Sequence, residues 1–215
     1  MIKLSNLDRN ECLRYLGGAG VEMNPKMESL LDICEKEILS CAAPAFLYRE
    51  VPVDNNPLFL CGDDIKAHLK GCGRAVLICA TLGAAVDNLI RVAQVTDMAK
   101  AVVLDSFGSV AVEQICAKGD ELIAENYPGK SLTFRYSPGY GDYPISLQKQ
   151  FLQILDAQRK IGLCASDSFL LTPSKSVTAV IGISDGEIEK RKRGCAVCSL
   201  RDNCRFRKAG TRCEF

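Results

Sequence analysis

The order of apolar and polar positions divides the chain into short strands and amphipathic helices. Asp8 to Leu16 reads as a short helix closed by Gly17-Gly18. Asn24-Pro25 is an N-cap followed by proline at the first helical position, where no backbone N–H is needed. The helix after it places Leu30, Cys34, Ile38 and Cys41 on one face. Phe46, Tyr48, Val51 and Val53 lie in a strand-like run, and Leu58 to Leu60 reads as another short strand. Asp63-Asp64 caps a helix reaching about Lys70. Arg74 to Ala80, with Ala75-Val76-Leu77-Ile78 inside it, reads as a buried strand.

The stretch from Gly83 to Asn126 is helical in pattern, with Thr96-Asp97 interrupting it and capping a second, longer helix. Pro128-Gly129 ends that helix. Leu132-Thr133-Phe134-Arg135-Tyr136 alternates like a strand. Ser146 caps a helix carrying Leu147, Phe151, Ile154 and Leu155, while Phe169-Leu170-Leu171 and Val177 to Ile183 are strands joined by a turn at Pro173. Strands and helices alternate irregularly, which favours an α+β fold over a doubly wound one. A change of composition near Asp185 divides a main domain, 1–184, from a basic, Cys-rich tail, 185–215.

Composition adds exclusions. The chain has 215 residues, 47% hydrophobic and 25% charged, so disorder, collagen and coiled coil do not describe the whole. No apolar run reaches the ~18 residues of a membrane-spanning helix, and Met1-Ile2-Lys3-Leu4-Ser5 lacks the apolar core of a secretory signal. A cytoplasmic protein with no membrane partner is expected. The net charge of +1 conceals an asymmetry: nine basic and five acidic residues from Asp185 onward make the tail +4 and residues 1–184 −3. That is not the profile of a uniformly basic nucleic-acid binder.

With no secretory signal, 12 cysteines point to a reducing compartment. Cys12, Cys34, Cys41, Cys61, Cys72, Cys79, Cys116 and Cys164 are scattered, mostly among apolar neighbours, and read as small buried hydrophobes. There is no phosphate loop and no dinucleotide fingerprint. The one histidine, His68, reads as a helix-surface residue; with a single imidazole, a multi-His zinc site is excluded and a hydrolase using an acid–base histidine is disfavoured.

The informative segment is Phe134-Arg135-Tyr136-Ser137-Pro138-Gly139-Tyr140-Gly141-Asp142-Tyr143-Pro144. It leaves a strand and enters a run of turn formers and aromatics. Two glycines permit positive φ or close backbone approach to a ligand. Arg135 offers a planar fork suited to a carboxylate, and Tyr140 and Tyr143 offer flat faces with hydroxyl handles. Two readings stay open from composition: a rigid loop whose tyrosines pack, or a ligand site.

Arg135-Tyr136-Ser137-Pro138-Gly139-Tyr140 resembles the R-x-x-x-G-Y motif of the activation domain of cobalamin-dependent methionine synthase. The flanks are similar in order: Glu121 to Tyr127 upstream, then Leu152 to Asp156, Ile161-Gly162-Leu163, Ser166 to Phe169, and Pro173-Ser174-Lys175-Ser176-Val177. The resemblance implies a single α+β domain with a twisted, mainly antiparallel sheet flanked by helices. It implies binding of S-adenosylmethionine and docking on a corrinoid-bearing methyltransferase whose cobalamin has slipped to Co(II). One electron from a flavodoxin-like donor and the methyl of S-adenosylmethionine would restore the methylated state. By resemblance, Arg135 would hold the methionine carboxylate, the backbone near Ser137 and Gly139 would touch the adenosyl part, and Tyr140, the expected catalytic residue, would lie near the corrin and the sulfonium. Glu113 stands where a family helix carboxylate meets the ligand.

Two departures accompany the resemblance. Fused family members carry a later tyrosine near the ligand, whereas this chain has none after Tyr143. The chain also has no room for corrinoid, folate or homocysteine modules, which points to a separate activating subunit. Two other function classes remain: a non-catalytic scaffold for corrinoid proteins, and a redox protein built around the tail. In that tail Cys195-x2-Cys198-x5-Cys204-x8-Cys213 could hold structural zinc or an iron–sulfur cluster with four thiolates.

Overall fold

The computed structural model of the protein describes residues 2–17, 23–188 and Lys208. In chain order the elements are α1 (Arg9–Tyr15), α2 (Pro25–Cys41), β1 (Ala45–Pro52), α3 (Asp63–His68), β2 (Arg74–Thr81), α4 (Ala84–Thr96), α5 (Met98–Asn126), β3 (Ser131–Leu132), α6 (Gln148–Leu155), α7 (Ala157–Ile161), β4 (Cys164–Ala165), β5 (Leu171–Thr172) and β6 (Ser176–Ser184). The main sheet is antiparallel, in the order β1-β2-β6-β3, and β4-β5 form a separate ribbon. β1 and β2 pair from Ala45 opposite Thr81 to Pro52 opposite Arg74, and β2 pairs with β6 from Arg74 opposite Ile183 to Thr81 opposite Ser176.

β2 shows why its sequence is apolar without alternation. Successive side chains of a strand point to opposite faces, and here both faces are covered. Ala75, Leu77 and Cys79 enter a cluster with Ile65, Phe151 and Leu155, on the side of α3, α6 and α7. Val76 and Ile78 pack with Ile123, Ala179 and Ile181 against the end of α5. Ala80 reaches the helical core built from α1, α2, α4 and α5. A strand buried on both faces gains nothing from polar residues.

α5 forms the spine of the helical layer. Asp97 starts it, accepting a hydrogen bond from the Lys100 N–H at 3.0 Å, so the break read at Thr96-Asp97 is where α4 ends and α5 begins. A Cβ on Gly119 would overlap the Phe46 ring, which is how closely α5 approaches β1. The start of β6 is fastened to the same layer. Ser174 donates from its N–H and its hydroxyl to the Asp87 carboxylate, at 2.7 and 2.8 Å. Lys175 pairs with Asp105 at 2.8 Å and bonds Ser109 at 3.0 Å.

The α+β class with an antiparallel sheet flanked by helices agrees with the expectation; several local details do not. Leu58 to Leu60 is no strand: Pro57–Phe59 is a 3-10 turn, capped by the Asn56 side chain on the Leu58 N–H at 3.1 Å. The strand read over 132–136 shrinks to Ser131–Leu132 plus a lone bridge at Tyr136, because the Thr133 hydroxyl, not a carbonyl, accepts the Gly182 N–H at 2.7 Å. Phe169 has φ +63 and stands in a turn closed by Ser166, whose hydroxyl accepts the Leu170 N–H at 3.1 Å; this local bond displaces the strand, which begins only at Leu171. The helix read from Ser146 starts as the 3-10 turn Ile145–Leu147. On α2 the fully buried stripe is Leu31, Cys34 and Ile38, with Leu30 and Cys41 half-buried. Of the eight scattered cysteines, Cys12, Cys34, Cys72, Cys79 and Cys116 are buried, Cys41 and Cys164 intermediate, and Cys61 exposed.

The four cysteines of the tail, Cys195, Cys198, Cys204 and Cys213, lie outside the described residues. Among the described residues no group of three or more metal-ligating side chains comes together. No helix there is long and apolar enough to cross a membrane.

Candidate functional site

The 134–144 segment leaves the sheet edge at Tyr136, whose N–H and C=O both pair with Val180 at 2.9 Å. Beyond it the backbone folds on itself. Tyr140 N donates to Ser137 O at 3.2 Å, Tyr143 N to Tyr140 O at 2.9 Å, and Gly139 N to Tyr143 O at 2.8 Å. Gly139 and Gly141 have φ of +97° and +53°, the left-handed region that a Cβ disfavours. At Gly141 a Cβ would also overlap the Asp64 carboxylate.

The base of this loop is anchored. The Asp142 carboxylate accepts the Asp63 and Asp64 N–H groups, at 2.7 and 3.1 Å. It thereby caps α3, whose own cap residue, Gly62, has no side chain to do so. Tyr143 is buried, stacked 6.1 Å from Tyr136 and edge-on to Phe151 at 6.3 Å. Burial raises its phenol pKa.

His68 continues this aromatic ladder and corrects the expectation of a surface histidine. It is only 4% exposed, stacked on Tyr136 at 4.9 Å and edge-on to Phe134 at 4.6 Å, with its Nε2 2.9 Å from the Thr133 hydroxyl. An isolated imidazole gave no pattern from which to read burial; the sheet edge folds Phe134 and Tyr136 over it. At the tip of the loop Tyr140 stays 64% exposed, its ring 6.2 Å from that of Tyr136.

Arg135 lies across α5. Its Nη1 donates to Glu113 Oε2 and its Nε to Asp120 Oδ2, each at 3.0 Å. The Arg135 side chain is 23% exposed, those of Glu113 and Asp120 48% and 41%. Burial disfavours the guanidinium charge, but Cys116, Glu113 and Asp120 together outweigh burial and move its pKa up. The Cys116 thiol beneath them is pushed up to about 12, chiefly by desolvation. Glu113, Cys116 and Asp120 share one helical face, at steps of three and four.

The structure thus brings two of the motif's charged residues, Arg135 and Glu113, into contact with each other. It places Ser137, Gly139 and Tyr140 on one loop directly after Arg135 in the chain. The Gly139 N–H is engaged within the loop, and the side where a Cβ would stand faces Ile145 at ordinary contact distance. Asp120 is not among the residues the motif points to, though its helical register with Glu113 and Cys116 carries the signal. A cleft bounded by Ile2, Lys3, Leu4, Leu39, Ala42, Ala43 and Pro44 is lined by none of these residues.

The arrangement defines an α+β domain whose arginine–glycine–tyrosine loop projects from a covered sheet edge, beside an acidic stripe on the longest helix. Residues 82–187 match the family model described as "Vitamin B12 dependent methionine synthase, activation domain". The matched residues hold Glu113 and the whole 134–144 loop. Among solved structures the chain is similar to a crystal structure of the MetH reactivation domain bound to AdoHcy, with TM-score 0.54, 14% identity, and coverage of 95% of this chain and 82% of that one. At that identity the likeness concerns the fold. No curated protein matches the chain.

Proposed function

We propose that the protein reactivates a cobalamin-dependent methyltransferase, methionine synthase or another corrinoid protein, by binding S-adenosylmethionine at the 134–144 loop and presenting its methyl group to the partner's corrinoid. One observation carries this reading: the activation-family region places Arg135, Gly139 and Tyr140 on one loop, with Tyr140 exposed. The reaction needs one electron from a reduced flavodoxin-like donor and the methyl of S-adenosylmethionine to return Co(II) to the methylated state. No protein acid or base takes part, which suits a chain whose only histidine is buried in an aromatic ladder. Position and exclusion of water are what the protein contributes.

The residues present suit this ligand. S-adenosylmethionine carries a carboxylate, an ammonium and a sulfonium, one net positive charge. Arg135 with Glu113 and Asp120 carries one net negative charge. In this reading Asp120 keeps hold of the Arg135 Nε, while Glu113, half exposed, turns from Nη1 to the ligand ammonium. The freed edge of the guanidinium then takes the carboxylate by charge-assisted hydrogen bonds. Tyr140 offers a face to the sulfonium, a contact of about 0.5–2 kcal/mol.

Arg135 already satisfied by two carboxylates favours a second reading: a scaffold that keeps the fold and docks on a corrinoid protein without the methyl donor. Calorimetry separates the two. S-adenosylmethionine should bind, and Arg135→Ala should weaken it by about 1.5–3 kcal/mol. No binding heat supports the scaffold. The decisive assay mixes the protein with a Co(II) corrinoid methyltransferase, a reductant and S-adenosylmethionine, and follows the methylcobalt spectrum. Its failure to appear only when the donor is omitted establishes the first reading. Its absence from the complete mixture overturns it. For Cys195, Cys198, Cys204 and Cys213 the proposal is a four-thiolate metal site, tested by iron and zinc analysis of anaerobically purified protein.

A further inference from the structure

Asp120 is the member of the charged cluster that the sequence motif does not point to. It follows Gly119, where α5 lies so close to β1 that a Cβ would overlap the Phe46 ring, so the backbone under it is pinned. Its Oδ2 accepts the Arg135 Nε–H at 3.0 Å, while the same guanidinium donates through Nη1 to Glu113 at 3.0 Å. The Cys116 thiol on the same face is fully buried and pushed up to about 12, so it adds no charge in neutral solution. Lys118, the one cation between Glu113 and Asp120 in the chain, stands on the opposite face of α5 with its Nζ on the Lys3 carbonyl. Two carboxylates against one guanidinium leave one negative charge here, beside an arginine side chain only 23% exposed.

Methyl transfer changes the ligand by one charge at this place. The S–CH3 bond breaks, the sulfur keeps the bonding pair and loses its positive charge, and the methyl passes to the partner's cobalt once the donor's electron has reduced it. The neutral thioether left behind is S-adenosylhomocysteine. Three single bonds join the sulfur to the carbon that bears the carboxylate and the ammonium. A ligand whose carboxylate lies on Arg135 therefore carries its sulfur within about one Debye length, 8–10 Å, of Asp120. Resting on the reading above, we propose that Asp120 is a specificity-determining residue. Its carboxylate holds Arg135 and favours the cationic donor over the neutral product, so that methyl transfer itself loosens the ligand.

Calorimetry of the full chain with S-adenosylmethionine and S-adenosylhomocysteine reads this preference as a ratio of affinities. Asp120→Asn keeps an oxygen for the Arg135 Nε–H and removes the charge. It should cut the preference for S-adenosylmethionine about three- to tenfold, the scale of one charge pair at that separation in a half-exposed site, and Asp120→Glu should keep it. Raising the salt from about 0.01 to 1 M shortens the screening length from about 30 to 3 Å. That should shrink the preference of the parent and change that of Asp120→Asn little. A residue that only supported the fold would move both ligands alike. Thermal melting checks that Asp120→Asn folds; an unchanged ratio in the folded variant overturns the assignment alone. Should the variant not fold, a parent preference indifferent to salt overturns it. A parent that binds neither ligand overturns the function proposed above.

Discussion

Ile78 on β2 and Tyr140 on the loop are both large and both ringed by neighbours, yet the surroundings differ in kind. Ile78 is fully buried between Ile123, Ala179 and Ile181, and any side chain of similar shape and polarity would serve there. Tyr140 is 64% exposed, on backbone turned by two positive-φ glycines and tied down by Asp142 and Tyr143. The sheet centre is held by area removed from water. The loop is held by specific hydrogen bonds and ring contacts at its base, and its tip is left unused by the fold.

Breaking the comparison at its strongest point means truncating each residue. Ile78→Ala should lower unfolding free energy by about 2–5 kcal/mol in urea titrations, whereas Tyr140→Ala should leave it within about 0.5 kcal/mol and instead weaken S-adenosylmethionine. A large stability loss at Tyr140 would mean the tip is structural. Asp142→Ala tests the base of the loop: α3 loses its cap, and stability should fall by about 1–2 kcal/mol, with ligand binding weakened as the loop loosens.

Glu113→Gln addresses the ligand directly. Loss of the charge partner for the ammonium should lower affinity for S-adenosylmethionine by about 1 kcal/mol in calorimetry. A gain in affinity would show that Glu113 blocks Arg135 instead of completing the site. The smallest effect concerns the core thiols. Desolvation pushes Cys79, Cys12 and Cys116 up from 9.0 to about 12. In the unfolded chain these thiols ionise near 9.0, in the folded one only near 12. Their stabilising contribution is therefore complete below pH 9 and is lost as pH rises toward 12. Thermal melts in reductant should show that decline, shallower in Cys79→Ala than in the parent.

Periodicity and capping residues were enough to place most of the helical layer. Asn24-Pro25, Asp97 and Pro128-Gly129 mark helix ends that the structure reproduces within a residue or two, because a cap acts on the N–H and C=O groups of its own turn. The unalternating run of β2 announced a strand covered on both faces for a similarly local reason. Where a side chain competed for a backbone partner, as Thr133, Ser166 and Asn56 do, the pattern misled, since the winning bond depends on which segment lies alongside.

The sequence by itself determined the α+β class, the helix limits, the charge division near Asp185 and the arginine–glycine–tyrosine motif with the family it resembles. These rest on interactions between residues a few positions apart, or on a pattern kept in order along the chain. Only the tertiary structure decided that His68 lies in an aromatic ladder, that Asp142 caps α3, and that Arg135 is shared between Glu113 and Asp120. Each of these joins segments 15 to 79 residues apart. Such contacts are set by how layers pack and which charges share a face, and no local pattern encodes them.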